Sequence, residues 1–278
     1  MWLSGGLALA AAVSPRTQEP ARESKSSLGA TEVERAFVEH GIRLDLARGL
    51  CAIPVTVDVR EDLLEYLLVN PRGAAHESLF VTEVVPSRLN AALLAMGAVP
   101  GTNAVWRPVE PPPTPEEIAD GKRPYTVEIP TGQGLYLYAA WRESAETYFL
   151  RVEDLVRNLE SGRSMRRHAW IFLGSRMVRL RGAREEDQKE KEVFAADFEG
   201  NLVNIAFFEQ GNTLLTAALV ECVQQTIWLA NGWLLPARGS SVELIFSRQP
   251  LAVLPEGFEQ HLPVVPEAGD AVDGERGR

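Results

Sequence analysis

Residues 63–101, LLEYLLVNPRGAAHESLFVTEVVPSRLNAALLAMGAVPG, leave the chain little conformational choice. The apolar run 63–69 has the composition of a strand, Asn70-Pro71-Arg72-Gly73 that of a turn, and 79–85 that of a second strand. A helix follows. Pro86 suits its first turn, Leu89, Ala92, Leu93 and Met96 recur at i, i+3, i+4 and i+7, and Gly97 stands where a helix ends. His76, Glu77 and Ser78 fall where the polar turn becomes the second strand, so the most reactive side chains here sit on the best-defined scaffold.

The remaining pattern is one of short strands. Ile42, Leu44 and Leu46 alternate with polar residues, and Cys51, Ile53, Val55, Val57 and Val59 do so more cleanly, the period of half-buried strands. Pro54 lacks an N–H for a ladder and places the second of these at an edge or bulge. Thr31 and Glu34 have capping-box spacing before a helical face of Val33, Ala36, Phe37 and His40 that Gly41 ends. Residues 125–129 and 135–142 read as a hairpin, and Val152, Leu155, Val156 and Leu159 as a helical stripe. Further strands are expected at 170–173, at 193–197 and 202–208 around Glu199-Gly200-Asn201, and lastly at 242–246. This predicts an α+β fold, mostly antiparallel strands and hairpins with three or four short amphipathic helices.

Domain boundaries follow from composition. Residues 1–13 carry no charge and contain two A-x-A patterns, Ala8-Leu9-Ala10 and Ala10-Ala11-Ala12, as an export signal needs, though without a basic n-region. They are too short to span a bilayer, so the expected mature chain has no transmembrane helix and lies in the periplasm or otherwise outside the cytoplasm. Residues 14–30 read as a flexible linker, 31–256 as the folded domain and 257–278 as a disordered tail. The proline-rich stretch 107–124 is the best internal boundary, dividing two lobes. A net charge of -10 argues against nucleic acid, which needs a basic surface; Arg163 to His168 is one short basic cluster.

No cofactor is expected. Only two cysteines occur, which excludes a cysteine-ligated iron–sulfur cluster or four-cysteine zinc site within the chain; Cys51 and Cys222 read as buried thiols. Gly132-x-Gly134 lacks the third glycine of a dinucleotide loop, since Leu137 stands there. Phe80 occupies the position of the second histidine of H-E-x-x-H, which leaves for a metal only a mixed site of His76 with carboxylates; none is assigned.

The candidate catalytic residues are therefore His76, Glu77 and Ser78. On a strand His76 and Ser78 share a face and Glu77 points to the other, which permits a histidine–serine pair but supplies neither an orienting acid nor an oxyanion site. The alternative is that these groups satisfy the turn's own backbone. Candidate ligand-binding residues are Asn90 on the helix's polar side and Trp170, Gly174 and Ser175, where a strand ending in Gly-Ser lets a ligand or a second backbone approach.

The order LEYLLV, AHESLFV and VPSRLNAALLAMGAVPG, with WIFLGS at 170–175 and DFEGNL at 197–202, resembles the YdjY-type domain of exported bacterial proteins, over most of residues 48–248. The resemblance implies an extracytoplasmic location and marks His76, Glu77 and Ser78 as signature residues; it implies no activity. Relatives that carry iron–sulfur clusters do so in separate cysteine-rich segments, so an electron-transfer role requires a partner protein. The expected function is non-catalytic binding of a partner protein or small ligand, against a hydrolase using His76 and Ser78, or an accessory module to an extracytoplasmic electron-transfer partner.

Overall fold

The computed structural model describes residues 24–180 and 191–266. The expected signal 1–13, most of the linker 14–30, residues 181–190 of the charged run 181–192 and residues 267–278 lie outside the described residues. In chain order the first half comprises α1 (Ser24–Val38), β1 (Arg43–Asp45), β2 (Leu50–Val57), β3 (Tyr66–Val69), β4 (Ser78–Val81), α2 (Pro86–Ala95), β5 (Val105–Pro108), α3 (Pro115–Ala119) and β6 (Tyr125–Glu128). Then follow β7 (Gly134–Glu143), β8 (Glu146–Arg151), β9 (Val156–Asn158), β10 (Trp170–Phe172), β11 (Met177–Leu180) and β12 (Lys191–Phe194). The last described elements are α4 (Ala195–Glu199), β13 (Asn201–Asn204), β14 (Leu215–Thr216), β15 (Trp228–Ala230), β16 (Ser241–Ser247) and β17 (Val264–Val265).

Eight strands close into a barrel in the order β2, β16, β7, β10, β14, β13, β3, β4 and back to β2. This overturns the α+β expectation. Alternation reveals strands but not their partners, and closure rests on two residue pairs far apart in sequence, Thr56 with Val81 and Val57 with Phe80. Two of the eight pairings, β3 with β4 and β13 with β14, are parallel, so they come from long-range contacts and not from hairpins. Closure removes exposed sheet edges, and eight strands enclose just enough room for side chains.

Alternating residues fill that interior. Cys51, Ile53, Val55 and Val57 of β2, Val242, Leu244 and Phe246 of β16, and Leu135, Leu137, Ala139 and Trp141 of β7 all join the main core. Their neighbours Leu50, Ala52, Tyr138, Ala140 and Ile245 face outward and are covered by Phe258 and Leu262. The chain is therefore packed as far as 266, with β17 pairing β7 in parallel, where the sequence predicts a disordered tail from 257. A two-residue strand and one buried aromatic give no periodicity to read.

Pro54 shows how the strands were fitted together. β2 is a barrel strand paired with β16 along its length, not an edge strand. On its other side β1 pairs only residues 50–52 and β4 only 56–57, and Pro54 lies in the gap. Its carbonyl accepts a hydrogen bond from Thr82 Oγ1 (2.8 Å), and because N–H and C=O of one strand residue face the same side, the missing N–H faces that gap.

Other expectations are corrected locally. α1 starts at Ser24, inside the supposed linker, and runs through Thr31. Residues 152–158 form a 3-10 turn (Val152–Leu155) and β9, not an α-helix. β6 pairs β5 while β7 pairs β16, β10 and β8, so 125–142 is no hairpin. The proline-rich stretch spans the tip between β5 and β6 and carries α3; strands before and after it share the one barrel sheet. Between β12 and β13 the chain makes α4, ended by Gly200 at φ +81°, where an added Cβ would fall 2.4 Å from the Gly73 nitrogen. By contrast α2 matches its expectation, with Pro86 at the N-terminus, Leu89, Ala92 and Leu93 buried, and Gly97 in the left-handed region beyond the cap. No helix among the described residues is long and apolar enough to cross a membrane.

Candidate functional site

The turn carrying His76 is a 3-10 segment, Ala75–Glu77, leading into β4. The His76 side chain is 80% exposed, with Nε2 3.8 Å from Glu77 Oε1. Ser78 is fully buried and its Oγ donates to the Phe80 carbonyl (2.9 Å). The imidazole stands in solvent while the hydroxyl is enclosed and occupied, so the structure does not bring them together. A serine nucleophile needs an accessible hydroxyl on a base.

Asn90 and Gly174 are brought together. Asn90 Oδ1 lies 3.6 Å from where a Cβ on Gly174 would be, and Gly174 and Ser175 both have positive φ. Ser175 Oγ donates to the Asn212 carbonyl (2.8 Å) and accepts from the Ala196 amide (3.2 Å), tying this strand end to α4. Trp170 is elsewhere, inside the barrel.

Trp170 belongs to a buried polar network around Glu153, which the sequence reading missed. The Glu153 carboxylate accepts from Arg151 Nε (2.9 Å) and Nη2 (2.5 Å) and from the Trp170 indole (3.0 Å). Arg151 lies 5.3 Å from the ring centres of both Tyr136 and Tyr138 and donates to the His168 carbonyl. A buried carboxylate survives only when paired and fully bonded, as here. Arg151 ends β8 and Glu153 sits in the 3-10 turn that follows, so strand alternation gave no signal for the pair.

His168 closes the network. Its Nδ1 bonds the Arg166 carbonyl (3.0 Å), which can only accept, so Nδ1 carries the proton and Nε2 is left buried without a partner among the described residues. Burial holds its pKa below the usual histidine range; Glu153 and the hydrogen bond to the Arg166 carbonyl oppose that, while the charges of Arg151 and Arg166 add to it. With the folded-state pKa depressed, the unfolded chain takes up the proton first, so the contribution is complete above about pH 6.5 and is lost as pH falls below it. We expect the urea midpoint to drop between pH 7.5 and pH 5.5, and the drop to shrink in His168→Phe; equal drops in both proteins would remove His168 as the cause.

A cleft of about 860 Å³ opens at one end of the barrel. Its floor is Trp141 of β7 with Tyr148 and Leu150 of β8; Trp141 and Tyr148 are register partners, which stacks their rings 5.1 Å apart at 3°. The walls are Val264 and Val265 on one side and the loop from Trp233 to Ser240 on the other. Trp233 is 90% exposed and also lines a second cleft, about 360 Å³, with Arg60 and Arg157.

That exposure is built into the fold. Arg60 Nη2 donates to the Gly232 carbonyl (2.7 Å) and its Nε to those of Leu235 and Pro236, clamping the loop from below. Asn231 anchors the other end through its amide to Leu155 and its side chain to the Asp154 carbonyl (2.9 Å). Among the described residues neither the buried Trp141 indole nitrogen nor the half-buried Arg157 guanidinium has a hydrogen-bond partner. The two clefts thus offer flat apolar faces and, in the second, the Arg157 cation beside Glu61. Asn231-Gly232 ahead of a tryptophan was the available sequence signal, a turn that holds a large apolar side chain outward.

Among the described residues no three histidine, cysteine, aspartate or glutamate side chains converge to hold a metal ion. Cys51 and Cys222 are free and buried, and burial pushes both thiols up. No family model, curated protein or solved structure matches the chain.

Proposed function

We propose that the protein is a non-catalytic recognition domain that holds an extended, apolar segment of a partner protein across Trp233, with an acidic residue of that segment on Arg157. The observation that carries this is Trp233 itself, a large aromatic held almost wholly in solvent by a clamped loop, between two clefts. Exposed tryptophan with tyrosine and arginine beside it is the composition of binding hot spots, and a preorganised loop loses little entropy on binding. The two clefts meet at Arg60 and Trp233, which line both, so one bound segment can contact both.

Within the same proposal the domain works outside the cytoplasm. That part draws on the uncharged segment 1–13 with its A-x-A patterns and on the likeness to YdjY-type domains. The test is selection from a pool of ten-residue peptides with apolar centres, flanked by glutamate in one half of the pool and by lysine in the other. Enrichment of glutamate-flanked peptides supports the reading; no enrichment, or enrichment of the lysine-flanked half, overturns it.

A further inference from the structure

A second site lies on the outer face of β14, β13 and β3, beside the turn that carries His76. Thr216, Asn204, Tyr66 and Ser78 are successive register partners across β14, β13, β3 and β4, forming one polar row, and all four are buried. Ser78 is satisfied by the Phe80 carbonyl. Asn204 Oδ1 and Thr216 Oγ1 have no hydrogen-bond partner among the described residues, which is costly for enclosed polar atoms and rare in folded proteins. Asn204, only 5% exposed, lines a small cleft of about 120 Å³.

The walls of that cleft specify a ligand. Phe208 stacks on Tyr66 with ring centres 5.2 Å apart at 3°, presenting aromatic surface. Glu199 stands at the mouth, and its carboxylate accepts a single hydrogen bond among the described residues, from Asn212 Nδ2. Asn212 is itself held by Arg176 Nε on its Oδ1 (2.6 Å), so the arginine is turned to the amide and makes no ion pair with Glu199. The surrounding field is negative: after burial, the carboxylates of Glu65, Glu77 and Glu199 are what push the Tyr66 hydroxyl upward, and it stays protonated. Acceptors, π faces and negative potential together favour a cation rich in N–H donors.

We propose that this cleft binds a small organic cation, a primary ammonium or guanidinium group, with Asn204 and Glu199 as its acceptors and the Tyr66–Phe208 pair as its wall. The volume admits the charged tip of such a molecule, with any tail running out to solvent. The site shares no lining residue with the Trp233 clefts, so the two proposals stand or fall separately.

Butylammonium, butylguanidinium and the neutral isostere butylurea, titrated into the isotopically labelled protein, provide the test, read at the Asn204 side-chain amide by NMR. Either cation, or both, should give saturable shifts that butylurea does not, and Glu199→Gln, which keeps an acceptor for Asn212, should weaken binding at least tenfold. Phe208→Leu should weaken it too without changing the urea midpoint by more than a surface substitution does. Equal shifts from butylurea, shifts that never saturate, or an unchanged affinity in Glu199→Gln would show a cleft filled by water alone and overturn the proposal.

Discussion

Glu153→Ala should cost about 3–5 kcal/mol of stability, read as a large fall in the urea midpoint followed by circular dichroism. The carboxylate is fully buried, and four donors converge on it: two from Arg151, the indole of Trp170 and, at 3.5 Å, the His168 amide. Removing it strands a guanidinium whose side chain is only 12% exposed, and leaves an indole N–H unpaired in the barrel core. Arg151 keeps its bond to the His168 carbonyl and its two tyrosine faces, which soften the loss without replacing a counter-ion. Glu153→Gln keeps one acceptor and should fall in between. Arg151→Met combined with Glu153→Leu should recover part of the loss, because a buried pair replaced by packed apolar groups is often near neutral. A Glu153→Ala protein as stable as the parent would mean that the network is solvated in solution and does not hold the 3-10 turn against the barrel.

Trp233→Ala should have the opposite profile, abolishing capture while leaving the fold alone. At 90% exposure the indole buries little surface in the free protein, so unfolding should shift by no more than about 0.5 kcal/mol, as for an ordinary surface change. In the complex the same ring is the centre of the contact, and truncating a hot-spot tryptophan costs at least about 2 kcal/mol, roughly a thirty-fold loss of affinity. Arg157→Ala should cost less with glutamate-flanked peptides and nothing with neutral ones, since it meets the flank and not the centre.

The parts of this structure that could be read in the chain are those decided within about fifteen residues. Helix α2 is legible because Pro86, the Leu89–Leu93 stripe and Gly97 mark its start, face and end. The interior face of β2 is legible because Cys51, Ile53, Val55 and Val57 alternate. Barrel closure is not, because nothing local distinguishes a Val57 that pairs β4 from one at a free edge. The stripe Val152, Leu155 and Val156 misleads for a physical reason: a 3-10 turn entering a strand buries those same residues, and what selects it is Glu153 reaching Arg151 and Trp170. Trp170 reads as a ligand contact in the sequence, yet its indole serves that network. His76, the most conspicuous candidate, points into solvent, whereas Asn204 and Trp233 belong to no motif and acquire meaning only from what surrounds them.

The central claim, that the Trp233 clefts are a recognition site for an apolar acidic-flanked segment, is tested most directly by one titration. The best-enriched peptide from the pool, fluorescently labelled, is titrated with the parent protein and with Trp233→Ala, and binding is followed by anisotropy. The account expects saturable binding to the parent, with a blue shift of tryptophan emission as Trp233 leaves water, and at least a thirty-fold loss in the variant. Equal affinity for the two proteins would contradict it.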